Sequence, residues 1–121
     1  MKKSALGYCP RFHYAMELVG RRWTGAIILV MLGGASRYCE IRDAIPGLSD
    51  RLLSERLREL ETEGIIDRTV LPDFPPAVRY HLTDKGRALA PILQAVFKWV
   101  DRWGESDAVP DDLQLALGRG Q

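Results

Sequence analysis

Cysteine is scarce in this sequence, which has Cys9 and Cys39 among its 121 residues. Two thiols are too few for a disulfide scaffold, and no further ligands stand beside them to complete a structural zinc site. We therefore expect free thiols, no metal site and no bound cofactor.

Long hydrophobic runs are also missing. The longest one, Ala26–Leu32, falls far short of the roughly 18 residues that a membrane-spanning helix needs. Residues 1–3 could open a signal peptide, but Arg11 and His13 stand where its apolar segment would be. We therefore expect a cytoplasmic protein that does not associate with a membrane.

Charge of one sign is not in excess. Seventeen Lys and Arg residues oppose sixteen Asp and Glu residues, which excludes a protein that coats nucleic acid through bulk charge. Basic groups are nevertheless concentrated in residues 1–37, so any nucleic-acid binding must come from local placement. The length and the apolar fraction of 46% predict a single domain over residues 1–121.

The apolar residues that are present follow helical spacing in the first half of the chain. One helix is predicted from Phe12 to Val19, and it ends at Gly20. The next, from Arg22 to Leu32, is apolar nearly all round, as expected for a central core helix. A short amphipathic helix follows within residues 37–45.

A fourth helix is predicted over residues 49–63, with Ser49 as its N-cap and Gly64 at its end. At about 100° per residue, its leucines and its polar residues separate onto opposite arcs. The apolar arc holds Leu52, Leu53, Leu57 and Leu60, and the polar arc holds Arg51, Ser54, Glu55, Arg58 and Thr62. Arg56 lies within the apolar arc, where it either narrows the buried stripe or extends toward an acid of the preceding helix.

The last part of the chain predicts a hairpin and one long helix. Strands over residues 65–71 and 78–82 are expected to pair antiparallel across a proline-stiffened tip. A helix then runs from its cap at Thr83 to Trp103, and a small domain has little spare core to cover its wide aromatic stripe. Residues 84–103 are therefore expected to form a dimerisation helix, and residues 104–121 a flexible tail.

Helix, helix, tight turn, helix and two-stranded hairpin is the order of a winged helix-turn-helix. The predicted fold class is therefore mainly α with a small β-hairpin. The order favours DNA binding, but winged helices also serve as protein interaction modules, which is the alternative from another class. An enzyme is not expected, because the chain lacks an Asp/His/Ser set, a Gly-rich phosphate loop and paired carboxylates near a recognisable pocket.

Individual residues then point to one family. The matching segments are Cys9-Pro10, residues 22–24, Gly34, residues 37–41, 46–49, 53–61, 64–68, 75–76 and 78–83, Gly86 and Trp99. As an ordered set, these segments resemble the HxlR-type bacterial transcription regulators. The resemblance implies winged helix-turn-helix subunits that dimerise through N- and C-terminal helices and bind double-stranded inverted-repeat operators. It leaves open the operator, the regulated genes, activation or repression, and any small-molecule effector.

The sequence departs from the family pattern in the hairpin. Family members commonly have a basic residue, Val, Glu and Tyr where this chain has residues 77–80, with Ala77 and Arg79 in the basic and acidic positions. Wing contacts implied by the resemblance are therefore in doubt at Ala77, and Arg79 is expected to replace them.

The predicted DNA-contacting residues lie on the fourth helix, at the start of the third and in the hairpin. They are Arg37, Ser49, Asp50, Arg51, Ser54, Arg58, Pro76 and Arg79. Arginine can grip a phosphate or donate two bonds to guanine, and serine can reach a base edge or the backbone. The alternative is that Arg51 and Arg58 are ordinary solvated surface residues. Tyr38 is either a phosphate clamp or a core residue.

Cys9 suggests regulation. Some regulators of the family sense oxidants or electrophiles through a cysteine before the first helix, and Cys9-Pro10 matches that place. A helix start with Lys2, Lys3 and Arg11 nearby would favour the reactive thiolate. The alternative is an unreactive, partly buried thiol. Cys39 is expected to be a small packing residue.

Overall fold

The computed structural model describes residues 7–104, which form helices around a core and one antiparallel hairpin. The tail predicted after Gly104 therefore lies outside the described residues. The helices are α1 (Pro10–Val19), α2 (Thr24–Leu32), α3 (Tyr38–Ala44), α4 (Asp50–Thr62), α5 (Asp84–Arg87) and α6 (Ala90–Trp103), and the strands between α4 and α5 are β1 (Ile66–Leu71) and β2 (Ala77–Leu82). This element order confirms a mainly helical fold with a small hairpin, that of a winged helix-turn-helix.

The predicted amphipathic pattern of α4 is confirmed. Leu53, Leu57 and Leu60 are buried, whereas Arg51 and Arg58 on the opposite arc are exposed. Burying one apolar face while the other meets water is what stabilises a surface helix of this composition. The leucine arc therefore determines which side of α4 remains accessible.

Caps fix both ends of α4 where the sequence placed them. The Ser49 hydroxyl oxygen accepts a hydrogen bond from the Leu52 amide at 3.1 Å, satisfying one of the unpaired donors of the first turn. At the other end, Gly64 has φ of 76°, a left-handed conformation that glycine adopts without a Cβ penalty. The chain turns there and enters β1.

The hairpin is joined to the helices at its base. β1 pairs antiparallel with β2 in the register Ile66 with Leu82 to Leu71 with Ala77. Ile66 and Leu82 are buried, while most of β1 toward the tip is exposed. The Tyr80 amide donates to the Ser36 carbonyl at 2.7 Å. The hairpin therefore anchors at the core and extends away from it, as a wing does.

The core lies where α2, α3, α4 and the hairpin base meet. Its most deeply buried large side chains come from all of these elements: Ile27, Ile28, Ile41, Leu53, Leu60 and Ile66. The predicted role of the second helix as the central one is confirmed, because it contributes Ile27, Ile28 and Met31 to this cluster. Burial of apolar area of this kind supplies most of the stability of a small domain.

The predicted start of α2 was wrong. Arg22 and Trp23 lie before the helix, and Trp23 has φ of 78°, an uncommon conformation for a residue with a side chain. The half-buried Trp23 packs against the core. Packing of the indole against the core stabilises the left-handed backbone conformation of Trp23. The helix starts one residue later, at Thr24.

The single last helix predicted from Thr83 to Trp103 was also wrong. It is divided into α5 and α6, with Ala88 and Leu89 between them. Pro91 stands in the first turn of α6, where its missing N–H costs nothing, whereas inside a continuous helix it would remove a hydrogen bond and clash with a preceding carbonyl. Thr83 does cap α5, since its hydroxyl accepts from the Gly86 amide at 3.1 Å.

The two terminal helices bury little of their apolar surface. Neither α1 nor α6 contains a buried residue. Leu89 and Leu93 pack partly against the core, but six large side chains of α6 are exposed: Ile92, Val96, Phe97, Trp99, Val100 and Trp103. No helix within residues 7–104 is long and apolar enough to span a membrane.

Candidate DNA-binding surface

The outward arc of α4 presents two arginines. Arg51 and Arg58 are exposed, and their spacing of two helical turns corresponds to about 10 Å along the axis. Within residues 7–104 neither guanidinium has an ion-pair or side-chain hydrogen-bond partner. Both can therefore donate hydrogen bonds to an external acceptor.

Four other arginines of the described chain form ion pairs. Carboxylates lie 3.0–3.3 Å from the guanidinium nitrogens in four pairs: Arg21 with Glu59, Arg42 with Asp43, Arg56 with Glu59, and Arg87 with Asp84. Such pairs leave fewer donors for a ligand. The contrast distinguishes the two arginines of the α4 arc from arginines that hold the protein's own chain together.

The N-terminus of α4 is built from residues with two roles. Ser49 is exposed but its hydroxyl already caps the helix. Asp50, the first helical residue, stabilises the positive end of the helix dipole. Its negative charge would oppose a phosphate at the same end, so any backbone contact there must come from the main-chain amides.

Tyr38 holds the first turns of α4 from the side of α3. Its ring packs partly against the core. Its hydroxyl oxygen lies 3.1 Å from the backbone oxygen of Asp50, 3.1 Å from Asp50 Oδ1 and 3.3 Å from Ser54 Oγ. The ring supports the core interpretation of Tyr38, and the hydroxyl network is a feature that sequence reasoning missed, because tertiary packing brings these residues together.

Arg56 resolves the alternative that the sequence left open. Its side chain is only 14% exposed, yet the Nε atom donates to the Arg22 carbonyl at 3.0 Å. Its Nη1 atom lies 3.7 Å from Glu55 and 3.3 Å from Glu59. The guanidinium thus binds acids of its own helix and the chain preceding α2, rather than an acid of the preceding helix. Glu55 pairs with Arg56 and not with Arg51 or Arg58.

Two side chains of the N-terminal region contact α4 on the side of Glu59. Arg21 forms an ion pair with Glu59 at 3.0 Å, and the Tyr14 hydroxyl donates to Glu63. The bond to the Glu63 carboxylate raises the pKa of Tyr14 above 10.0. Between these contacts lies a cleft of about 340 Å³. The recognition-helix candidate is therefore tied to the helix that begins next to Cys9.

The start of α3 and the hairpin meet at Glu40. Its carboxylate accepts from the amides of Ser36 at 2.9 Å and Arg37 at 3.0 Å. These two backbone bonds lower the pKa of Glu40, and the positive charges of Arg37 and Arg79 lower it further. Arg37 itself is exposed at the N-cap of α3, so it can still face a ligand.

Arg79, the predicted wing contact, lies in a partly enclosed position on β2. It is half-buried, and its Nε atom is covered without a hydrogen-bond partner in the described chain. Because the neighbouring Tyr80 amide binds Ser36, β2 runs beside the start of α3 and brings Arg79 near Glu40. Pro76 is exposed at the end of the hairpin loop. DNA contacts by Arg79 and Pro76 remain predictions.

Both cysteines are exposed, which disagrees with the packing role expected for Cys39. Cys39 is exposed, so its predicted packing role was wrong; it lies on the outward side of α3, opposite buried Ile41. Cys9 is exposed at the N-cap of α1, followed by Pro10. The predicted influence of Lys2 and Lys3 lies outside the described residues.

Comparisons with known proteins identify the family. A sequence profile described as HxlR-like helix-turn-helix matches residues 18–108. The chain belongs to this family. It is 50% identical over 95 residues to the uncharacterized HTH-type transcriptional regulator YvaP of Bacillus subtilis, covering 78% of this chain and 88% of that protein. It is 44% identical over 97 residues to the HTH-type transcriptional regulator YodB of the same organism, covering 80% and 87%.

Solved structures agree with these sequence matches. The reduced form of YodB from B. subtilis superposes with a TM-score of 0.73 at 43% identity, covering 82% of this chain and 97% of that one. The redox regulator HypR in its oxidized form gives 0.73 at 35% identity, covering 80% and 99%. The protein is accordingly a transcriptional regulator of the helix-turn-helix type, as its family membership and relatives establish.

Proposed function

We propose that this HxlR-family protein is a homodimeric bacterial regulator that acts in the cytoplasm and inserts one copy of α4 into the major groove at each half-site of an operator. The observation that carries the proposal is the outward arc of α4, where Arg51 and Arg58 are exposed and have no side-chain partner among residues 7–104. The opposite arc is anchored in the core by leucines. Such a helix can enter a groove without disturbing the protein's own packing.

The predicted contacts divide by chemistry. Arg51 and Arg58 are the candidates for guanine O6 and N7 or for phosphate, since each offers a planar set of donors. Arg37 and the main-chain amides at Ser49 and Asp50 are candidates for phosphate on the same side. Pro76 and Arg79 are candidates for backbone contacts from the wing. Ser54 lies between the two arginines of α4.

The terminal helices supply the dimer interface in this proposal. Trp99 and Trp103 are 62% and 60% exposed, and Phe12 on α1 is 66% exposed. A large aromatic surface of this kind is costly to leave in water, and covering it with a second copy gives a closed two-fold dimer. To reach two half-sites one turn of DNA apart, such a dimer has to hold its two α4 helices about 34–36 Å from each other.

Cys9 is the proposed redox- or electrophile-sensing residue. It is exposed at the N-cap of α1, so an oxidant or electrophile can reach its thiol. The related YodB has been solved in diamide-treated and quinone-bound forms, and HypR is a redox regulator. Modification of Cys9 would act at the start of α1, and Tyr14 of α1 contacts Glu63, the C-cap of α4.

Selection of bound sites from random DNA, followed by titration of the chosen duplex, tests the DNA-binding proposal. Arg51→Ala and Arg58→Ala should each weaken specific binding by about 1–3 kcal/mol if they read bases, and reduce the salt dependence if they bind phosphate. Lys98→Ala, which removes a positive charge from α6, is the matched control and should bind as the parent does. Failure to enrich any sequence would instead favour a winged-helix protein interaction module.

A thiol-specific experiment tests the regulatory part. Diamide or a quinone should reduce operator binding by the parent protein and leave Cys9→Ser unaffected, whereas Cys39→Ser should respond as the parent does. Equal responses of the parent and Cys9→Ser would remove Cys9 from the mechanism.

A further inference from the structure

The Tyr38 hydroxyl carries one proton but lies near three oxygens. Asp50 provides two of them, the backbone oxygen and Oδ1, each at 3.1 Å, and Ser54 Oγ lies at 3.3 Å. A phenol donates one hydrogen bond and accepts others through its lone pairs. The positions of the acceptors therefore determine which way each proton points.

The phenol proton points to Asp50. Tyr38 is the donor in both contacts with Asp50, and both Asp50 oxygens are closer to the phenol oxygen than Ser54 Oγ is. Neither backbone nor carboxylate oxygen of Asp50 can donate, so the third contact must be completed by the other hydroxyl. Ser54 accordingly donates its proton to the Tyr38 oxygen.

This assignment changes what Ser54 offers to DNA. With its one proton directed at Tyr38, the half-buried Ser54 retains lone pairs on Oγ and acts toward a ligand only as an acceptor. Phosphate oxygens, guanine O6 and N7, and thymine O4 are themselves acceptors and are poor partners for it. In the major groove the donors are the N4 amine of cytosine and the N6 amine of adenine.

We infer that Ser54 is a specificity-determining residue that accepts a hydrogen bond from a cytosine or adenine amine, and that Tyr38 is the positioning residue that fixes it as an acceptor. The inference rests on the proposed binding of α4 in the major groove. Ser54 complements Arg51 and Arg58 on the same arc, since guanidinium groups only donate. One helix face thereby reads both acceptors and donors on the base edges.

Atom replacement in the operator tests the acceptor role. With the full chain and its selected operator, each adenine of a half-site is replaced in turn by purine, which lacks the 6-amino group, and each cytosine by 2-pyrimidinone, which lacks the 4-amino group. At one position the parent should lose about threefold to tenfold in affinity, the worth of one hydrogen bond. Ser54→Ala should bind the natural operator that much more weakly and show no further loss at that position.

Tyr38→Phe tests the positioning role, because it keeps the packed ring and removes the hydroxyl. It should shrink the penalty for the missing amine while binding to an unrelated duplex changes less than about twofold. Tyr80→Phe removes a hydroxyl from another tyrosine packed partly on the core and should leave the amine penalty unchanged.

The outcomes separate this inference from the proposed function. If no duplex is selected, the DNA-binding proposal fails and this inference with it. If an operator is selected but Ser54→Ala loses affinity equally on every amine-deleted duplex, α4 binding stands and the acceptor role is wrong. If the amine penalty depends on Ser54 but not on Tyr38→Phe, or if that variant weakens all duplexes equally, Tyr38 does not position Ser54.

Discussion

The inner part of the molecule buries its large apolar side chains, whereas the terminal helices leave theirs exposed. The inner part, residues 24–87, encloses Ile27, Ile41 and Leu53 completely. The terminal helices α1 and α6 contain no buried residue, and Trp99 is 62% exposed. A chain of this size can complete one core, and in the proposed dimer a second copy covers the terminal helices.

The largest effect expected from this comparison is in the inner core. Leu53→Ala should lower the free energy of unfolding by about 2–5 kcal/mol, because it removes buried methyl groups and leaves a cavity on the inner side of α4. Urea titration at several protein concentrations measures it. Val70→Ala, at a residue 51% exposed on β1, is the control and should change stability by less than about 0.5 kcal/mol. Similar losses of unfolding free energy for both variants would contradict the difference in burial between Leu53 and Val70.

A smaller loss is expected where α5 approaches the hairpin base. A Cβ at Gly86 would lie 2.2 Å from the Ile65 carbonyl oxygen, so the backbone must move. Gly86→Ala should destabilise the protein by about 1–3 kcal/mol, as overpacking does. Gly25→Ala in α2, where nothing lies within 4 Å, should instead stabilise it by about 0.5–1 kcal/mol. Thermal unfolding of the two variants gives opposite shifts if the packing is as described.

The terminal helices should respond through association rather than folding. Trp99→Ala should weaken dimerisation by about 2 kcal/mol, the loss typical of a central aromatic interface residue. Sedimentation equilibrium measures it directly. Lys98→Ala, one residue away and also exposed, should leave the dissociation constant within about threefold. A parent protein that is monomeric at all accessible concentrations would contradict the proposed dimerisation through the terminal helices.

The smallest effect concerns Glu40, where the hairpin and α3 meet. Its folded-state pKa lies below the ordinary value of 4.5 because it accepts two backbone hydrogen bonds. A lowered acid pKa contributes stability that is present above the unfolded value and is lost as pH falls through the folded value. Glu40→Gln should therefore melt at a lower temperature than the parent at neutral pH, and the difference in melting temperature should shrink as the pH falls below 4.5. If the difference in melting temperature instead widens on acidification, the ionised Glu40 carboxylate does not stabilise the fold as expected.

Local rules predicted much of the fold. The leucine arc of α4, its cap at Ser49, the turn at Gly64 and the cap at Thr83 all follow from residue types and spacing, because each depends on neighbours within a few positions. The same rules missed the break between α5 and α6, although Pro91 was the available signal. They also missed the left-handed backbone of Trp23, which depends on tertiary packing.

The candidate site was predicted in composition but not in arrangement. The polar arc with Arg51 and Arg58 could be read from helical periodicity. Two of the arrangements join separate elements: Arg79 lies near Glu40, and Tyr38 contacts Ser54. A third, the pairing of Arg56 with Glu59, competes with other acids at similar spacing along the helix. Periodicity orders residues around one helix and carries no information about which side chain of another element faces them.

By itself, the sequence determined which faces of its helices are apolar, where most of them begin and end, and which family motifs they carry, since these depend on side-chain type and short-range spacing. The tertiary structure alone decided which arginines have internal carboxylate partners and which remain available. It also decided that Tyr38 meets Ser54, because contacts between distant positions exist only when the core has brought their elements together.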